Sequence, residues 1–266
     1  MTERVKISIE DHVAVVTLNR PDKHNAVDLK MFEALALAGT KLSKNRTVRA
    51  VVIEGAGSSF CAGVDLDIFQ QSNSPIGGGA MSPGENTPAN FFQHAAYVWL
   101  EIPVPVICAI HGIAFGAGLQ IALGADLRYA TAESRLSIME IKWGIIPDMA
   151  ISTTLPGLMA TDKIKELAWT GRIVKGDEAC ALGLITAVHE DPSQVARDTA
   201  QIIAGKSPDA ICAIKTLFNE AANLTNQQAL QLEARLQLSL LGSPNQVEAV
   251  MANLEKRDPD FRDLQN

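Results

Sequence analysis

VICAIHGIAFGAGLQIALGADLRYA, residues 106–130, is the stretch on which the reading of this chain turns. The apolar, β-branched run Val106–Ile110 ends at His111-Gly112, and the small-residue turn Gly116-Ala117-Gly118 opens a segment with helical spacing at Leu119, Ile121, Ala122 and Leu123. The pattern predicts a strand, a tight turn and a buried helix. The first turn of a helix carries backbone N–H groups with no intrahelical partner and the positive end of the helix dipole, so Ala117 offers donors suited to negative charge. Glycines on both sides let that backbone approach a ligand. They equally let a helix pack closely on a sheet, and the turn alone leaves both readings open.

Upstream, Ala50–Glu54 reads as a buried strand running into GAGSSFCAGVDL, residues 55–66. Residues Gln70–Ala89 are rich in Gly, Pro, Ser and Asn without an apolar period. They predict a long surface loop, a lid whose order depends on ligand or else a fixed pocket wall, and a helix over Phe91–Leu100 follows. Nearer the start, Val5–Ile9 and Val13–Leu18 read as a hairpin and Asn19–Ala26 as a polar loop. Asp28 then caps a helix reaching about Ser43.

Downstream, Asp126–Ala130 and Arg135–Ile138 are short strands, and Met139–Asp148 is an irregular apolar link that carries two carboxylates, Glu140 and Asp148. A helix from Thr161 stops at Gly171, a second stops at Gly183, and Leu184–Val188 is the last strand. Beyond Pro192 every signal is helical: Ser207-Pro208 opens one helix, and Thr225-x-x-Gln228 and Ser243-Pro244-x-Gln246 are capping boxes for two more. The expectation is an α/β core over residues 1–195 and a helical region over 196–266.

Composition narrows the function class. The 266 residues can bury a sizeable core, and a hydrophobic share of 47% with no apolar run of 18 residues indicates no membrane span. Net charge is −7 and no Lys/Arg cluster stands out, which argues against nucleic acid or an anionic membrane as partner. The four cysteines, Cys61, Cys108, Cys180 and Cys212, have no metal-like spacing and read as reduced and mostly buried. Met1–Arg4 leads straight into a strand with no room for a leader peptide, so a cytoplasmic protein is expected. His24, His94 and His111 are accompanied by no Gly-x-Ser-x-Gly elbow and no His-x-x-x-His pair, so no metal and no hydrolase triad is expected.

Three motifs, LNRPDKHNA (Leu18–Ala26), SSFCAGVDL (Ser58–Leu66) and AIHGIAFGAGLQIALGADLRYA (Ala109–Ala130), together resemble the signature of the crotonase, or enoyl-CoA hydratase/isomerase, superfamily. The resemblance continues through EIKWGIIP (Glu140–Pro147), TGRIVKGDEACALGLITAV (Thr170–Val188) and DFRD (Asp260–Asp263), and so covers nearly the whole chain. It implies a crotonase-like spiral of ββα units with a C-terminal helical trimerisation region, and a homotrimer or dimer of trimers. The implied substrate is an acyl-CoA thioester whose enolate is held in an oxyanion hole formed by the backbone N–H groups of Val64 and Ala117. Lys23, Ala26, Ala62, Asp65 and Leu66 are implied to line the CoA groove, with Phe261 and Arg262 reaching CoA from the C-terminal region, sometimes that of a neighbouring subunit. Coenzyme A is then part of the substrate, and no separate cofactor is expected. For Lys23 the plainer reading is a solvated loop lysine.

Hydratases of the superfamily use two glutamates. Glu140 stands at the second position, but the first is Gln120, which has no carboxylate to exchange a proton. One carboxylate suffices for a 1,3-proton shift, so double-bond isomerisation with Glu140 as proton carrier leads. Asp148, eight residues on, matches an acid of dienoyl-CoA isomerases, although it also reads as a simple N-cap. The alternatives are an enoyl-CoA hydratase of fatty-acid β-oxidation and a CoA-binding or RNA-binding member without turnover; the acidic composition and lack of a lysine-rich helix argue against RNA.

Overall fold

The computed structural model describes residues 3–70 and 78–265. β1 (Val5–Glu10) and β2 (Val13–Leu18) pair antiparallel, with Val5 opposite Leu18 and Glu10 opposite Val13. β2, β3 (Ala50–Gly55), β4 (Val106–Ile110), β6 (Leu127–Ala130) and β9 (Ala187–Val188) run parallel, which completes a six-stranded sheet ordered β1-β2-β3-β4-β6-β9. β5 (Ile113–Phe115), β7 (Arg135–Ser137) and β8 (Val174–Lys175) make a second, smaller sheet, and Cys61 bridges to Ala114 at the β5 edge. After each of β3, β4 and β6 the chain thus spends a few residues in the second layer before moving on. That is the repeating ββα turn of a crotonase-like spiral.

The helices follow the capping chemistry. Asp28 accepts from Met31 N to start α1 (Leu29–Ser43), α2 (Asp67–Gln70) is a single turn, and Asn90 forms a full capping box with Gln93 at α3 (Phe91–Glu101). α4 (Ala117–Leu123) is buried along its whole length. After it come α5 (Ile151–Thr154), α6 (Thr161–Thr170), which stops at Gly171 in the left-handed conformation, and α7 (Gly176–Ala181). α8 (Pro192–Ala204), α9 (Pro208–Ala221), α10 (Asn226–Leu240) and α11 (Pro244–Glu255) form the tail. Among the described residues no helix is long and apolar enough to cross a membrane.

The structure adds to the expectations and differs from some of them. β5 was not foreseen, because three residues between Gly112 and Gly116 are too few to show a period. The last strand is only Ala187–Val188; Leu184 N and Ile185 N turn back instead to Ala179 O. The Thr225 box is complete, but at Ser243 the Gln246 side chain accepts from Gly242 N, so that box is half formed. The 195/196 boundary falls inside α8, whose Ala196, Ala200 and Ala204 pack on Val13, Val15, Ala50 and Val52 on the back of the sheet. Small side chains four residues apart let this helix lie close, so it belongs to the core. Of the expected lid, residues 71–77 lie outside the described residues; Gly78–Met81 forms one 3₁₀ turn, and Thr87 Oγ1 donates to Glu101 at 2.7 Å.

The tail is tied to the core by a buried lysine. Lys215 Nζ on α9 donates to Trp99 O at 3.2 Å, Val104 O at 3.0 Å and Asp126 Oδ2 at 2.8 Å. Trp99 O is an orphan carbonyl of the last turn of α3, so the ammonium serves as a cap supplied from outside. Burial pushes the Lys215 amine below its usual range, and Asp126 opposes that. Lys215→Met removes one partner of a buried pair, and a loss of about 3 kcal/mol is expected in urea unfolding. A loss near zero would mean that the pair contributes nothing.

Candidate active site

The polar loop after β2 is knitted to the segment after β3 by Asn25. Its buried Nδ2 lies within 2.8–3.1 Å of the carbonyls of Ala56, Ser59 and Phe60, and its Oδ1 accepts from Arg20 N at 2.8 Å. Arg20 Nη1 meets Asp65 Oδ2 at 2.6 Å. Burial works to raise the Asp65 carboxyl, but the Arg20 guanidinium and Asp67 N–H hold it below the usual range. The sequence reading passed over Asn25 and Arg20, although two polar residues inside a short motif between buried strands were the available signal.

That knot carries five of the expected CoA-lining residues. Lys23 ends an exposed turn, Ala26 N donates to Lys23 O, and Ala62 N donates to His24 O. Asp65 is committed to Arg20 and acts as a brace, while Leu66 is 41% exposed. Phe261 and Arg262 are elsewhere. Arg49, before β3, donates to Phe261 O at 2.8 Å and to Asp263 at 3.0 Å, which holds the C-terminal segment at the end of β3 opposite to the one that leads into Val64. Within one chain these two residues do not join the others.

The segment from Cys61 to Val64 lies against the start of α4. Gly63 has φ +95°, and a Cβ there would sit 2.8 Å from Phe115 O and 3.8 Å from Ala117 N; a Cβ on Gly118 would sit 2.5 Å from Cys61 O. Only glycine permits either approach. Val27 N donates to Gly63 O and Asp65 N to Val27 O, so the bridge between Val27 and Val64 uses the groups on either side of Val64 N–H and leaves it out. Neither Val64 N–H nor Ala117 N–H has a hydrogen-bond acceptor among the described residues. α4 is seven residues long, so its contribution at Ala117 is the local unpaired N–H more than a long dipole.

Glu140 faces this point from a 3₁₀ turn, Glu140–Trp143; its Oε1 is 3.2 Å from where a Cβ on Gly116 would be. The side chain is 7% exposed. Oε1 accepts from Gln120 Nε2 at 2.6 Å, and Oε2 is buried without a partner. Burial pushes the Glu140 carboxyl above its usual range, the Gln120 bond pulls it back in part, and neighbouring Asp148 adds to the rise. Asp148, half-buried, is also raised by burial; the next turn, α5, is capped by Ala150, so the simple N-cap reading of Asp148 does not hold. The arrangement can hold one proton on Glu140 beside two free N–H donors.

Raised carboxyl pKa values set a sign for stability. A carboxyl that titrates higher in the folded than in the unfolded chain contributes stability fully below its ordinary value, 4.5 for Glu140, and loses it as pH rises through the folded value. Glu140→Gln removes that loss. Its Tm is therefore expected to fall less than the wild-type Tm as pH rises from 4.5, and to exceed it above the window. Parallel curves would rule out a raised Glu140.

Comparison with known proteins shows the family and the fold. The profile of the family Enoyl-CoA hydratase/isomerase matches residues 8–265. The chain is 31% identical to a peroxisomal Delta(3,5)-Delta(2,4)-dienoyl-CoA isomerase of Arabidopsis thaliana, covering 98% of this chain and 97% of that one. It is 29% identical to a probable enoyl-CoA hydratase of Bacillus subtilis, over 97% and 98%. Its fold superposes on a crystal structure of enoyl-CoA hydratase from Bacillus anthracis with a TM-score of 0.89 at 28% identity, covering 97% of this chain and 98% of that one. Fold and site define an enzyme of the crotonase superfamily. The chain belongs to the enoyl-CoA hydratase/isomerase family.

Proposed function

We propose that this enzyme moves a carbon–carbon double bond within an enoyl- or dienoyl-CoA thioester, by way of an enolate. The observation that carries the reading is a single buried carboxylate with one unpartnered oxygen, Glu140 Oε2, next to an amide at position 120. Adding water asks for two groups that handle protons, whereas shifting a double bond asks for one. Oε2 takes a proton from a carbon near the thioester; the C–H pair becomes the new double bond and charge passes to the thioester oxygen. The charge on the oxygen then re-forms the C=O, the pair of the original double bond takes that proton from the O–H at a different carbon, and Glu140 is again a carboxylate. Val64 N–H and Ala117 N–H are the donors for the enolate oxygen, and the raised Glu140 pKa suits a group that must both take and give.

Asp148 favours the dienoyl form of the reaction, because a second raised acid beside Glu140 extends the reach of the proton. The Arabidopsis relative is named for that reaction. The CoA moiety lies along Lys23, Ala26, Ala62, Asp65 and Leu66, and no further cofactor is required. The working form is a homotrimer or a dimer of trimers: the exposed Ile214 and Leu230 line a groove of about 500 Å³ between α9 and α10, and Phe218 and Leu238 of the same helices are exposed as well. In such an assembly Phe261 and Arg262 serve a neighbouring subunit.

The experiment is a panel of 3-enoyl-, 3,5-dienoyl- and crotonyl-CoA with purified protein. Isomerisation is expected to outrun crotonyl-CoA hydration by ~10²-fold, the scale of one missing acid–base group. Fast hydration without isomerisation would make the enzyme a hydratase.

A further inference from the structure

Gln120 lies between two fixed partners. Its side chain is 2% exposed, its Oε1 accepts from Met149 N at 2.8 Å, and its Nε2 donates to Glu140 Oε1 at 2.6 Å. The polarity is dictated from the far end: Met149 N–H can only donate, so the oxygen of the amide must face it and the NH₂ must face Glu140. Glu140 Oε1 therefore faces a donor. Oε2 is left buried with no partner. Each end of the amide is thus committed to one partner inside the protein.

We propose that Gln120 is a positioning residue: a bracket from Met149 N–H to Glu140 Oε1 that reserves Oε2 for the travelling proton. The bracket rests on the isomerase reading for its consequence but not for its geometry. It also links the acid pair, because Met149 adjoins Asp148, so the turn that carries the second acid is tied to the first. The groups facing Glu140 are few. Among the described residues they are the uncharged Gln120 from α4, Asp148 from the segment before α5, and the backbone N–H groups of Met139 and Glu140.

The test uses Gln120→Leu and Gln120→Met, with a readout that needs no substrate. Protein with ¹³C-labelled glutamate carboxyls is titrated by NMR, and the Glu140 signal is identified by its absence in Glu140→Gln. Losing the amide donor is expected to move the Glu140 midpoint up in both variants. In turnover, kcat is expected to fall ~10²-fold in Gln120→Leu with KM within about twofold, and the acid limb of the kcat profile should move up with the NMR midpoint. A midpoint and limb that stay put while only Tm falls would reduce Gln120 to a packing residue and overturn the proposal. Gln120→Met, closer to glutamine in length and uncharged, decides the matter if Gln120→Leu does not fold. If the wild type isomerises nothing, the reading of function fails, while the NMR midpoint still judges the bracket.

Discussion

Glu140→Gln is expected to lower kcat for isomerisation by about 10³-fold, within the range for a lost general acid–base group, with acyl-CoA binding unchanged by calorimetry. The amide is nearly isosteric and meets the same packing, but it has no lone pair basic enough to take a carbon-bound proton. A merely structural carboxylate would give the opposite pair of results, weakened binding or a lower Tm with turnover kept. Unchanged binding in a protein whose wild type turns over no thioester would favour a CoA-binding member without activity.

Ala117→Pro is the second large effect: kcat is expected to fall about 10²–10³-fold, the scale of one lost oxyanion donor. The substitution removes the N–H and puts the ring Cδ where the donated hydrogen was. Residue 117 is the first residue of α4, where proline's fixed φ is compatible with a helix, and Gly116 before it has no Cβ to clash with the ring. The fold is expected to survive with little change in Tm, so the loss is one of turnover and not of folding. A variant that is folded and fully active would remove Ala117 N–H from the mechanism, and with it the oxyanion hole as drawn here.

Both variants strike features with different origins in the chain. The turn Gly116-Ala117-Gly118 was legible by itself: an apolar run ending in glycines and resuming at helical spacing specifies strand, turn and helix start, because backbone sterics and burial periodicity are local properties. The N-caps at Asp28 and Thr225, the stop at Gly171 and the hairpin before Asn19 were legible for the same reason. Glu140 stood out as a carboxylate within an apolar link, and burial of such a group has few outcomes besides a raised pKa.

What sequence could not specify is anything that depends on two distant segments meeting. β5 exists because Ala114 finds Cys61 and β7, and three residues have no periodicity to announce it. Asn25 and Arg20 matter because the chain after β3 returns to them, and Asp65 is a brace because Arg20 is there to hold it. The place of Phe261 and Arg262 was decided by Arg49, more than 200 residues earlier in the chain, which holds that segment at the far end of β3. Gln120 is the sharpest case. Its residue type alone excluded a second glutamate at that position, but the role of the amide came from Met149 N–H and Glu140 Oε1 closing on it from two other segments, since a hydrogen-bonding side chain takes its function from partners that only the folded chain supplies.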